Sequence, residues 1–185
     1  MKRIILASQS PRRRELMTKF NLPFDCVVAD VDEHFDLTDG LEKAIINVAC
    51  KKAEAVFNNY PYSVVIAADT IVTINNKILG KPRNEQDAFD MLQLLSGKTH
   101  KVLTGVCILS NDKKEYFCDS SYVEFYPLTK KQIMDYIATG EPMDKAGAYG
   151  IQGQGALIVK SIIGDFYSIM GFPIARVYRS LLKFI

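Results

Sequence analysis

Residues 64–68, Val-Val-Ile-Ala-Ala, form an unbroken apolar run that closes on Asp69 and resumes as Thr70-Ile71-Val72. A strand with no polar face needs cover on both sides, which directs this chain toward a sheet flanked by helices. The run is far short of the roughly 18 apolar residues that cross a bilayer. Helix signals surround it. Pro11 after Ser10 reads as the first position and cap of a helix with Leu16, Met17 and Phe20 on one face. Ile45, Ala49 and Val56 mark a long helix from about Leu41 to Asn58, and Lys52 falls on the same stripe. Asn84 opens a helix that ends at Gly97, Thr129 to Gln132 fits a capping box, and Ile174–Leu182 reads as an amphipathic helix.

Strands are expected at Ile4–Ala7, Phe24–Ala29, Val64–Ala68, Thr70–Ile74, Lys77–Leu79, Val102–Leu109, Glu115–Tyr126, Ala156–Ile163 and Phe166–Met170. Asn75-Asn76 suits a tight hairpin, because asparagine tolerates positive φ. Hairpin joins mixed with helical crossovers predict an α/β fold built on a mixed β-sheet.

A length of 185 residues points to a single domain over 1–185. Twenty-three Lys+Arg against 21 Asp+Glu leave +2, so bulk charge makes no case for nucleic acid or membrane as a partner. Only Ile4–Ala7 follow the basic Met1-Lys2-Arg3, whereas a secretory leader needs about 7–15 apolar residues. Cys26, Cys50, Cys107 and Cys118 form no C-x-x-C and sit among apolar neighbours, which predicts buried reduced thiols and a cytoplasmic protein. With only His34 and His100 besides, zinc is not expected.

Several segments could carry chemistry. Ser8-Gln9-Ser10-Pro11-Arg12-Arg13-Arg14 stands between a strand and a helix, where unpaired amides, hydroxyls and guanidiniums suit phosphate; it could equally be a capped surface helix. Asp69 closes an apolar strand, a position that often lines the ligand crevice of α/β proteins. Lys52 either snorkels or aims at an anion. Lys81, stiffened by Pro82, and Asp32-Glu33 are each readable as site or as solvated loop. In Asp144–Gly153 the glycines permit close backbone approach, and Gln152 carries the donor and acceptor needed to read a base edge. Gly97-Lys98-Thr99 imitates a P-loop, but Leu92 stands where its first glycine belongs.

Taken in order, Ser8–Arg13, Asp32-Glu33, Lys52-Ala53, Ala68-Asp69-Thr70, Gly80-Lys81-Pro82, Leu95-Ser96-Gly97, Gly140-Glu141-Pro142 and Asp144–Gly153 resemble the Maf family of nucleoside triphosphate pyrophosphatases, also described as septum-formation inhibitors. The resemblance implies a long mixed sheet with two lobes around a deep cleft, of Maf or inosine-triphosphatase type. It implies hydrolysis of a nucleoside triphosphate to monophosphate and pyrophosphate, with a divalent cation (Mg2+ or Mn2+), in the cytoplasm. It also places the active-site carboxylate on Asp69, phosphate contacts on Ser8, Arg13, Lys52 and Lys81, and a further acidic metal ligand on Glu33. Arg12, Thr70 and Gln152 are similar to the specificity positions of the dTTP/UTP branch. The rival readings are a purine-selective pyrophosphatase (7-methyl-GTP or inosine triphosphate) and a non-catalytic regulator of cell division. The family is often dimeric, and the C-terminal helix (Val177, Tyr178, Leu181) could serve either core or a homodimer contact. One departure from the family pattern, Gly164–Pro173, bears on local packing or that contact more than on chemistry.

Overall fold

The computed structural model describes residues 2–185. Its strands are β1 (Arg3–Ala7), β2 (Asp25–Val27), β3 (Ser63–Ile74), β4 (Lys77–Leu79), β5 (Thr99–Leu109), β6 (Lys114–Phe125) and β7 (Val159–Ile163). Its α-helices are α1 (Pro11–Thr18), α2 (Leu41–Phe57), α3 (Glu85–Leu95), α4 (Lys130–Ile137), α5 (Phe166–Ile169) and α6 (Ile174–Leu181). The strands bond in the order β2-β1-β3-β5-β6-β7, with β4 on β3. β1 runs parallel to β2 and β3, while β4 and β7 run antiparallel to β3 and β6. The sheet is therefore mixed, as the sequence predicts.

The chain forms two compact units. The first holds the chain through Asp69, Thr104–Asp119 and Gly171–Ile185. Its core joins Ile5, Val65 and Ala67 of the sheet to Ala49, Ala53 and Val56 of α2. Gly105 on β5 makes that packing tight, since a Cβ there would stand 2.6 Å from the Ile45 carbonyl oxygen. The second unit holds Thr70–Leu103 and Ser120–Met170. Its core gathers Val72, Leu92, Leu95, Phe125, Ile133, Tyr136 and Tyr149. Three 3-10 turns, Glu141–Asp144, Ala146–Ala148 and Gly153–Leu157, fill the stretch without regular periodicity.

The helix starts follow their cap chemistry. The Ser10 side chain accepts from the Arg13 N–H, Asn84 from Asp87, and Thr129 and Gln132 complete a reciprocal capping box. Asn75 and Asn76 take φ values of 49° and 61°, as a tight hairpin requires.

Four expectations need correction. β3 is one strand of 12 residues, so Asp69 lies inside it rather than at its end; its carboxylate finds a cation, and nothing forces a turn. Phe166–Ile169 is helical, because Asp165 caps it by accepting from the Tyr167 N–H at 3.1 Å, and this local bond overrides the aromatic strand pattern. Ala156 and Leu157 belong to a 3-10 turn, so β7 starts only at Val159. Cys50 and Cys107 are buried as expected, but Cys118 is half-buried and Cys26 is exposed on β2, which ends the sheet. All four are free thiols. Val177 and Leu181 of α6 lie in the core, while Tyr178 and, just after the helix, Leu182 are exposed. Among the described residues no helix is long and apolar enough to cross a membrane.

Candidate active site

β1 and β3 are parallel, with Leu6 opposite Ile66. Both chains therefore reach the same end of the sheet, where β1 gives way to Ser8 and β3 continues to Asp69. The Ser8 N–H turns back to the Leu6 carbonyl at 3.0 Å, and the Ser8 hydroxyl accepts from the Ser10 N–H at 3.1 Å. This turn starts α1, whose first helical residues include Arg12 and Arg13.

Arg13 is fixed from two directions. Its Nε donates to the Gly171 carbonyl at 2.8 Å, and its Nη1 stands 3.5 Å from the Ser8 hydroxyl. Burial draws the Arg13 pKa below the usual arginine range; the charge of Asp69 opposes this, Arg12 adds to it, and Glu33 opposes it. The guanidinium and the two carboxylates thus share one electrostatic neighbourhood.

The centre of the first unit is Lys52. Its stem lies on the buried stripe of α2, and its ammonium group meets Asp69 Oδ1 at 2.6 Å and Glu33 Oε1 at 2.7 Å. Asp69 and Lys52 are each only 8% exposed, whereas the Glu33 side chain is 59% exposed. Glu33 comes from the irregular stretch after β2, where the Asp32 and Asp36 carboxylates accept from the His34 and Thr38 amides and shape the loop. A buried carboxylate paired with a buried ammonium is strongly coupled, because little water screens it.

This unit accordingly brings together Ser8, Arg12, Arg13, Glu33, Lys52 and Asp69. Whether the donors suit a divalent ion can be read from the lysine: a cation already stands between the Asp69 and Glu33 oxygens. Among the described residues no group of three or more His, Cys, Asp or Glu side chains could hold a metal. Two carboxylates, completed by phosphate and water oxygens, match the preference of Mg2+ for few protein ligands. Asp69 and Glu33 are the two carboxylates that would hold such an ion.

The second unit holds the remaining candidates. Thr70 follows Asp69 directly and is half-buried. Lys81 is exposed after β4, beside the buried Pro82. The Gly147 N–H donates to the Gly80 carbonyl at 3.0 Å, which ties the Lys81 loop to the 144–153 stretch. Gly147 has φ +69°, and a Cβ there would lie 3.0 Å from Val72 carbons, so this approach needs glycine. Gln152 is exposed.

Two contributors escape a reading of the sequence. Gly171 belongs to the segment assigned to packing or dimer contact, yet its carbonyl holds Arg13; a backbone acceptor leaves no trace in side-chain pattern. Glu141 appears beforehand only as part of a Gly-Glu-Pro block, yet its carboxylate accepts from the Tyr136 hydroxyl and from the Gln154 and Gly155 amides. An acidic residue ahead of a glycine-rich stretch is the only hint the sequence offers.

A family model described as Maf-like protein matches residues 3–184. A protein of Geobacillus sp. (strain WCH70) named dTTP/UTP pyrophosphatase is 50% identical over 183 residues, 99% of this chain and 98% of its own. One of Bacillus cereus (strain G9842) with the same name is 49% identical over 184 residues, 100% of this chain and 96% of its own. Among solved structures, the Staphylococcus aureus Ham1 protein aligns over 100% of both chains with a TM-score of 0.57 at 14% identity, a likeness of fold.

Proposed function

The chain belongs to the Maf-like protein family, and from that premise we propose that it hydrolyses nucleoside triphosphates, dTTP and UTP above others, to the monophosphate and pyrophosphate. The observation that carries the reading is the buried Asp69 carboxylate, tied through Lys52 to Glu33 within the electrostatic reach of Arg13. A triphosphate repels an incoming water, so a site for this reaction must bring cations to the phosphates and a base to the water.

Arg13, fixed by Gly171 and Ser8, presents a guanidinium to phosphate oxygens, and the first amides of α1 add their partial positive charge. Lys52 then exchanges its carboxylate contacts for phosphate oxygens, and Lys81 supplies a further cation on the triphosphate. A divalent cation, held by Asp69 and Glu33, supplies neutralisation of phosphate charge and a more acidic water when bound. Asp69 Oδ1, released from the ammonium group, takes the proton of the water that attacks the α-phosphorus. The charge that develops on the departing pyrophosphate is met by Arg13 and the lysines.

For base choice, the Gln152 amide accepts from N3–H and donates to O4 of uracil or thymine, a pattern that purines do not copy in the same pose. Arg12 and Thr70 complete the specificity set. Residues 1–185 act as one catalytic domain of the cytoplasm that clears nucleotides from the pool. The test is a panel of dTTP, UTP, GTP, ATP, inosine triphosphate and 7-methyl-GTP with Mg2+ or Mn2+, reading pyrophosphate and monophosphate. Highest kcat/KM on dTTP and UTP with equal yields of the two products is expected; orthophosphate release, purine preference or no turnover would refute the reading.

A further inference from the structure

The glycine-rich stretch that carries Gln152 is wrapped around one carboxylate. Glu141 Oε1 accepts from the Tyr136 hydroxyl at 2.9 Å and from the Gly155 N–H at 3.1 Å, while Oε2 accepts from the Gln154 N–H at 2.9 Å. The Tyr136 hydroxyl in turn accepts from the Gly150 N–H at 3.0 Å. The backbone is therefore held on both sides of Gln152, at 150 and at 154–155, by one connected set of bonds from α4 and the turn after it.

The glycines explain how the carboxylate gets this close. A Cβ at Gly153 would stand 2.6 Å from Glu141 Oε2, and that residue has φ +63°. At Gly155 it would meet the Gly150 carbonyl at 2.0 Å and the Tyr136 hydroxyl at 2.7 Å. At Gly150 it would meet the Lys145 side chain at 2.8 Å, and the Lys145 ammonium group is itself bonded to the Glu141 carbonyl at 2.5 Å. What the glycines let the backbone approach is thus a side chain of the same unit. Gln152 stays exposed in the middle of this clamp, as do Gly153 and Gln154 beside it.

We propose that Glu141, acting with Tyr136, is a positioning residue for pyrimidine selection: it fixes the backbone that presents the Gln152 amide to the base. This rests on the reading of Gln152 as the base contact. Bonds from amide N–H groups to a carboxylate are charge-assisted and among the stronger ones, so the clamp limits the orientations of Gln152 before a nucleotide arrives. Glu141→Gln keeps the shape but turns an NH2 group toward N–H donors, which breaks the clamp without opening a cavity. Tyr136→Phe removes only the hydroxyl and leaves the carboxylate with its two amides.

The experiment measures the ratio of kcat/KM for UTP to that for GTP in the wild type, Q152A, E141Q, Y136F and the E141Q/Q152A double variant. The ratio is expected to fall about tenfold in both E141Q and Y136F, the size of one good hydrogen bond, with the loss in KM for UTP rather than in kcat. The double variant should then be no less selective than Q152A alone, because both changes remove the same contact. An anchor with a purely structural role would reduce activity on both nucleotides alike and leave the ratio unmoved, which overturns the proposal. A ratio lowered by Q152A but intact in E141Q and Y136F overturns the positioning role alone. A ratio unchanged in Q152A removes the base-contact reading and this proposal with it. If E141Q fails to fold, Y136F decides between the same outcomes.

Discussion

Acid should loosen the second unit through His100, a residue with no part in the proposed chemistry. His100 is 2% exposed, its Nε2 lies 2.7 Å from the Tyr149 hydroxyl, and the Phe125 and Tyr149 rings meet it edge-on. Its Nδ1 is buried with no hydrogen-bond partner, so a second N–H⁺ would have nothing to donate to. Burial draws the pKa from 6.5 down to about 4. The folded state therefore holds the proton less tightly than the unfolded chain. The contribution to stability is fully present above pH 6.5 and is lost as the pH falls toward 4. A displacement of that size corresponds to about 3 kcal/mol when complete, of which about 2 kcal/mol is gone by pH 5. Against a folding free energy of about 5–15 kcal/mol this is a large share. Urea unfolding of the wild type and H100Q at pH 7.5 and pH 5 isolates the effect, because the other titrating groups are common to both proteins. The wild type should lose about 2 kcal/mol more than H100Q between the two pH values; equal losses would refute the argument. Tyr149 directly precedes Gly150, so this loosening acts next to the loop that presents Gln152.

Other consequences follow from the first unit. Lys52→Met leaves the buried Asp69 carboxylate facing Glu33 with its ammonium partner gone, at a cost of about 3–5 kcal/mol. Mn2+ without nucleotide should then raise the melting temperature of K52M and not of the wild type, and an equal rise in both would contradict the placement of Lys52 between the carboxylates. Gly105→Ala sets a Cβ 2.6 Å from the Ile45 carbonyl, so α2 must shift, with a loss of about 1–3 kcal/mol in urea unfolding; an unchanged midpoint would contradict it. Arg13→Lys loses the Nε bond to Gly171 and the planar fork, which should raise KM for UTP about tenfold in steady-state assays; an unchanged KM would argue against a phosphate contact there.

Much of the fold is legible because local rules and burial agree. Ser10, Asn84 and Thr129 name their own helix starts, Asn75-Asn76 names its hairpin, and the 45-49-52-56 stripe places Lys52 among buried neighbours, where its charge demands a partner. That demand points to an anion of some kind, but nothing in the pattern names Asp69 as the partner; the ion pair appears only in the folded chain. Misreadings arise where one local bond overrides pattern, as at Asp165, or where a strand continues through a polar residue, as at Asp69. The Gly171 carbonyl and the amides around Glu141 are backbone partners, so composition and periodicity cannot report them. They become visible only when the chain is folded.

The role proposed for Asp69 lies in the chemical step, as base and cation ligand, and not in binding the nucleotide. Asp69→Asn keeps the size of the side chain and removes its charge, so single-turnover release of pyrophosphate from UTP, alongside calorimetric titration of the same protein with UTP, separates the two roles. A fall in the rate by about 10^2–10^4-fold, with UTP still bound, is the predicted result. Pyrophosphate release at the wild-type rate would contradict that role.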